Sequence, residues 1–225
     1  MEVLGVLLPL ALGVAFSSVP ITAMIVLLLS SRGRSAGLAY LLGYSIGLTA
    51  VTVGFTVGIR ALPAGDATIP ETWIGIGEIV LGAVCSFFAV WSFARARRRI
   101  RAAEAPPEMP SWLRRAGQLG PVSAFAVGLA LNLRPKALVL ATAAALALNS
   151  GDLTPVAWAI DTVVYLAIGL STVAAPVIVV LRTGERSRAA LERARDWLDR
   201  NSYIVTSIVL VMVGVVLIGD GLTRL

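Results

Sequence analysis

Ser17-Ser18-Val19-Pro20-Ile21-Thr22-Ala23 and Asn132-Leu133-Arg134-Pro135-Lys136-Ala137 are the two stretches that decide the fold. Each lies inside a long apolar run, one in each half of the chain. A proline there removes a backbone hydrogen bond and frees a carbonyl one turn earlier. In lipid such freed groups are costly unless protein or a watery cavity satisfies them. Interrupted apolar segments paired in this way point to the binding site of a transporter.

The rest of the chain fits that reading. Its 225 residues are 57% hydrophobic and 14% charged, and the mean hydropathy is +0.86. The apolar residues come in six blocks, at 3–30, 37–59, 73–94, 121–148, 155–181 and 203–220. Each block is long enough to cross a bilayer. The first is a span and not a cleaved leader, because Glu2 is its only early charge and the run outlasts an ordinary signal.

Charge placement predicts orientation. The segments 31–36, 95–120 and 182–202 carry two, seven and six Lys/Arg, whereas 60–72, 149–154 and 221–225 carry one, none and one. By the positive-inside rule the first group faces the cytoplasm, so both termini are expected outside. The net charge of +6 is then a topology signal, and no nucleic-acid partner is expected. Cys85 is alone within the third block, and there is no histidine, the commonest general base and metal ligand.

The expected architecture is an all-α integral membrane protein of six transmembrane helices, arranged as two inverted three-helix repeats with helices one and four broken by proline. The first repeat occupies 1–94, a basic cytoplasmic linker 95–120, and the second repeat 121–225. Ile46-Gly47-Leu48-Thr49 matches Ile168-Gly169-Leu170-Ser171, and Val80-Leu81-Gly82 matches Met212-Val213-Gly214. Small residues at such positions let helix backbones approach closely. Within the second repeat, 185–201 reads as an amphipathic helix lying on the inner membrane surface. It carries Leu191, Ala194 and Leu198 on one stripe, with Trp197 beside them and the pairs Arg188–Glu192 and Arg195–Asp199 at i,i+4.

Polar residues within spans are expensive and are read as functional. Arg134 and Lys136 flank Pro135 near the middle of the fourth span, where each charge costs about 2.5–3.5 kcal/mol on the insertion scale. A broken helix in a polar cavity accommodates them. Asp161 is the leading partner for these cations, with Glu78 and Asp220 behind it. Desolvated cations and the start of a half-helix at Pro135 would together favour an anionic group such as carboxylate or phosphate. Ser17, Ser18 and Thr22 around Pro20 add neutral hydrogen-bonding groups. The expected substrate or ion site is therefore Ser17, Ser18, Pro20, Thr22, Asn132, Arg134, Pro135, Lys136 and Asp161. No catalytic residue, metal or cofactor is expected. The two serines lack a visible base, no nucleophile elbow or phosphate loop occurs, and no Cys/Asp/Glu cluster has metal spacing.

Pro20-Ile21-Thr22-Ala23, followed by Leu-Leu-Leu-Ser-Ser-Arg-Gly-Arg-Ser-Ala-Gly-Leu-Ala-Tyr-Leu-Leu-Gly-Tyr over 27–44, resembles the GAP/Sap family of actinobacteria, the peptidoglycolipid- and sulfolipid-addressing proteins. Asn132–Ala137 resembles the Asn-Pro-Lys element of the wider lysine-exporter (LysE) superfamily, here split by Leu133 and Arg134. The resemblance covers essentially the whole chain. It implies a bacterial cytoplasmic-membrane exporter that helps deliver cell-envelope lipids or glycolipids outward; the superfamily implies coupling to an ion gradient, for which Asp161 is the best intramembrane candidate for a proton-responsive carboxylate. The wider superfamily implies the alternative of amino-acid or small-ion efflux. A third reading is a non-transporting accessory subunit of a lipid-export complex. The partners expected are membrane lipids and a lipid or small-molecule substrate, with assembly as a homo-oligomer or with envelope-lipid export machinery.

Overall fold

The computed structural model describes residues 2–30, 32–61, 71–101, 120–149 and 154–223. Helices α1 (Glu2–Ala15), α2 (Ser18–Leu28), α3 (Gly33–Ala61) and α4 (Glu71–Arg101) make up the first half. In the second half, α5 (Pro121–Ala130) is followed by a 3-10 turn at Leu131–Leu133 and then α6 (Pro135–Asn149). Next come α7 (Pro155–Thr183), a 3-10 turn at Gly184–Ser187, and α8 (Arg188–Thr223). No strand occurs among the described residues, as expected of backbone that must satisfy itself in lipid.

α3 and α7 are long and apolar enough to cross a membrane. The pairs α1/α2 and α5/α6 meet the same test as bent pairs, with angles of 43° and 62°. Both bends fall at the proline stretches. Two shorter apolar stretches, Gly75–Trp91 in α4 and Ser207–Thr223 in α8, accompany them.

The prolines mark the breaks by different routes. α1 closes with a tightened turn, Ser17 N–H to the Val14 carbonyl at 3.1 Å. α2 then starts with Pro20 in its first turn, where a missing N–H costs nothing. Pro135 is the first residue of α6, entered through an extended Arg134 at ψ 147°. By contrast, Pro9 and Pro176 lie inside α1 and α7 without ending them.

α2 is buried on every side from Pro20 to Leu28 and forms the axis of one core cluster, with Tyr40, Tyr44, Val173, Val177, Leu191 and Leu198 around it. A second cluster joins α1, α6, α7 and α8 through Leu7, Leu10, Leu140, Leu148, Tyr165 and Val209. α7 contributes to both along a single i,i+4 row of Asp161, Tyr165, Gly169, Val173 and Val177.

The most extensive helix pairs are α4 with α8, α3 with α5, and α1 with α7. Glycines set their spacing. A Cβ on Gly82 would run into the Gly214 backbone, and one on Gly214 into the Gly82 carbonyl. Gly43 abuts the Phe125 carbonyl and Gly128 the Tyr40 carbonyl, so α3 and α5 touch backbone to backbone. Gly47 meets the end of α5 at Leu129 and Asn132, and its sequence counterpart Gly169 meets the end of α1 at Val14.

One expectation changes here. Segment 185–201 is not a separate surface helix: from Arg188 it forms the opening turns of α8, continuous with the last apolar stretch. The reason is that Leu191 and Leu198 turn inward onto the α2 cluster, while Ala194 and Trp197 are exposed. The Arg188–Glu192 pair forms, at 3.6 Å. The Asp199 side chain, residues 102–119 of the linker, and the Glu78 and Asp220 side chains lie outside the described residues.

Candidate functional site

The two helix breaks meet. Ser17 and Pro20 from the first, and Asn132, Arg134 and Lys136 from the second, line one cleft with Tyr44 of α3. Val14, Leu48, Leu131 and Leu140 form its apolar walls. The cleft holds about 30 Å³, which is room for little more than a water molecule.

Side chains from neighbouring helices satisfy the backbone around the first break. Thr172 of α7 donates to the Ala15 carbonyl. Tyr40 of α3 donates to the Pro20 carbonyl at 3.0 Å. Tyr40 stacks on Tyr44, with ring centroids 6.1 Å apart. The Ser17 side chain makes no capping bond to α2, so its hydroxyl stays available to the cleft.

At the second break Asn132 is 1% exposed. Its amide Nδ2 donates to the Gly128 carbonyl at 3.0 Å and to the Tyr44 carbonyl at 3.2 Å, tying α5 to α3. Its Oδ1 is buried without a hydrogen-bond partner among the described residues, an acceptor that calls for an explanation. Arg134 is the residue immediately before α6 and Lys136 its second residue. Both stand at the positive end of the helix dipole, where cations are destabilising unless an anion compensates them.

Several site expectations change. Arg134 and Lys136 are exposed at the cleft rather than enclosed in a polar cavity, because the walls are apolar and close together. Asp161 is buried at 7% exposure, yet no cation pairs with it among the described residues. Depth is the reason. Lys136 lies about 20 Å from the far end of α6, while Asp161 lies about 9 Å from the matching end of α7, at 1.5 Å per residue. Ser18 is half-buried, Thr22 is buried on α2 and Pro135 is exposed, and none of the three lines the cleft.

The sequence reading missed Tyr40, Tyr44, Tyr165, Thr52 and Thr172. The signal was present, since each is a polar side chain in an apolar run, but none lies at a proline break or carries a charge.

Residues 7–223 match the family model described as Sap, sulfolipid-1-addressing protein. The chain belongs to the Sap family. No curated protein and no solved structure matches it. With its long apolar helices, this Sap-family chain is a membrane protein, and the family description connects it to lipid addressing.

Proposed function

We propose that this Sap-family protein is a bacterial cytoplasmic-membrane exporter that helps move envelope lipids or glycolipids outward, driven by an ion gradient. In this reading α1/α2, α3 and α4 form one three-helix repeat, and α5/α6, α7 and α8 an inverted second. The mirrored roles of Gly47 and Gly169, and the mutual approach of Gly82 and Gly214, support that arrangement. The short basic connections face the cytoplasm and both termini face outward. No catalytic step is assigned. Membrane lipids are the partners, with a homo-oligomer or a larger export complex as the assembly.

The observation that carries the reading is the shared cleft. Two broken helices from opposite halves bring Ser17, Asn132, Arg134 and Lys136 to one place, with the cations at a helix start that favours an anion. Broken half-helices meeting between repeats are how many transporters build a substrate site.

The test compares the surface-exposed fraction of envelope lipid in cells carrying the wild-type protein, the Arg134→Gln/Lys136→Gln protein, or none. Loss of surface lipid in both altered strains, with lipid accumulating inside, is the expected result. Normal surface lipid in the double variant removes the cleft from the mechanism.

One observation favours a second reading. A cleft of about 30 Å³ is far smaller than a lipid headgroup and nearer the size of a small ion. Amino-acid or small-ion efflux on the same scaffold therefore follows if surface lipid is unchanged in the strain lacking the protein. An accessory role follows if surface lipid falls in that strain but the purified protein moves no lipid between leaflets of a vesicle.

A further inference from the structure

A larger cavity, of about 500 Å³, lies away from the helix breaks, where the α2–α3 connection faces the α7–α8 connection. Its volume is in the range of ordinary ligand pockets. Its lining divides by chemistry. Leu28, Val180 and Leu191 are buried and make an apolar floor. Among the described lining residues Arg32, Arg34 and Arg188 supply every charge, and none is a carboxylate. Glu192 engages Arg188 at 3.6 Å, whereas Arg32 and Arg34 have no ion pair among the described residues.

The serines sharpen the selection. Ser30 donates to the Leu27 carbonyl at 2.6 Å, Ser35 to the Arg32 carbonyl at 3.1 Å, and Ser187 to the Gly184 carbonyl at 2.6 Å. Their hydroxyl protons are therefore committed, and the side-chain donors left among the described lining residues are the guanidinium N–H groups. Such a lining takes a ligand rich in acceptors and negative charge, and guanidinium forks match phosphate and sulfate oxygens two at a time.

Gly184 turns the chain beside the pocket with φ 57° and ψ −135°, a backbone conformation that disfavours any other residue. A free phosphate or sulfate would fill only a small part of the volume. A headgroup carrying further polar atoms, with its apolar stem against Leu28 and Val180, fits both the size and the divided lining.

We propose that this pocket, formed by Arg32, Arg34 and Arg188, binds a phosphate- or sulfate-bearing group, and that the group is the headgroup of an anionic lipid in the cytoplasmic leaflet. Binding stands on the pocket itself. Its role as the loading station for export, upstream of the cleft at the breaks, rests on the export reading above.

The experiment titrates the purified protein with dioctanoyl phosphatidic acid, with inorganic phosphate, with inorganic sulfate, and with dioctanoylglycerol as the uncharged control. The expected result is saturable binding of the phosphatidic acid that weakens at least about tenfold in Arg32→Gln/Arg34→Gln, a loss of 1.4 kcal/mol or more. The exposed arginines should be replaceable without loss of fold, and the Arg32→Lys/Arg34→Lys protein, which keeps the charge, should recover part of the affinity.

Inorganic phosphate or sulfate competing as tightly as the lipid, and lost in the same variant, keeps the oxyanion site and overturns the lipid as its source. Absence of binding by all three anionic probes, or binding that Arg32→Gln/Arg34→Gln leaves unchanged, overturns the site. A variant that no longer binds the lipid yet keeps a normal surface-lipid fraction overturns the loading role alone. If the pocket binds while the strain lacking the protein has normal surface lipid, the export reading fails and the pocket stands.

Discussion

The Tyr40 hydroxyl of α3 donates a 3.0 Å hydrogen bond to the Pro20 carbonyl of α2, in a position closed to solvent. One phenol thereby ties the most buried helix of the bundle to the helix that also carries Tyr44 and Gly47. Tyr40→Phe keeps the ring stacked on Tyr44 and removes only this bond. A loss of about 1 kcal/mol is expected, read from the unfolding midpoint in detergent. An unchanged midpoint would mean that the tie contributes nothing.

Gly47 and Gly54 lie on the same helix with opposite surroundings. A Cβ on Gly47 would collide with Asn132 Nδ2 and approach the Leu129 backbone, whereas nothing lies within 4 Å of one on Gly54. Gly47→Ala should therefore loosen the α3–α5 contact and lower the yield of folded protein. Gly54→Ala should stabilise the helix by about 0.5–1 kcal/mol. Equal effects of the two changes, by thermal unfolding, would refute this account of the packing.

Asn132→Asp tests the bridge at the second break. The replacement keeps the shape but turns a donor facing two carbonyls into an acceptor, buried at 1% exposure. We expect destabilisation of at least about 1–3 kcal/mol, the cost of an unsatisfied buried group. Stability like that of the wild type would show that Nδ2 is not the anchor.

At the opposite end of α3, Arg60 donates from Nε to Asn149 Oδ1 at 2.7 Å and lies 5.5 Å from the centroid of the Trp158 ring. Asn149 in turn donates to the Thr56 carbonyl at 3.2 Å. Arg60 thus joins α3, α6 and α7 at the end predicted to face outward. Arg60→Gln removes the charge over the ring and should cost about 0.5–1 kcal/mol. In a transport assay, a rate that changes together with stability would mark this contact as one that opens during the cycle, and an unchanged rate would make it structural only.

Asp161 is buried in α7 with no cation beside it among the described residues. If export is proton-coupled through it, Asp161→Asn protein should transport with its pH dependence flattened. A variant whose export keeps the wild-type pH profile would remove Asp161 from coupling.

Much of this was legible in the residues themselves. Both prolines stand where the bent helix pairs occur, and Gly82 and Gly214 meet as their matching positions suggested. Ser17, Pro20, Asn132, Arg134 and Lys136 share one cleft. That Asp161 and Lys136 stay apart was not legible, because a residue count along a span gives their difference in depth but not whether a long lysine side chain bridges it. The continuity of α8 was missed because an amphipathic stripe identifies a buried face without saying whether protein or membrane covers it.

The sequence by itself determined the class of the molecule, the places where its helices break and its expected orientation. These follow from how long an apolar run is, where proline interrupts it and where arginine flanks it, and lipid permits few answers to each. Only the tertiary structure decided which polar groups meet. In a membrane the lipid-facing side of a helix is as apolar as its core-facing side, so hydrophobic periodicity does not say which neighbour a face will find. α2, apolar on every side, could equally have faced lipid. The close approaches of Gly43, Gly47 and Gly128 select its neighbours' register. That packing brings Arg188 to Arg32 and Arg34, far from it in the chain, around one cavity.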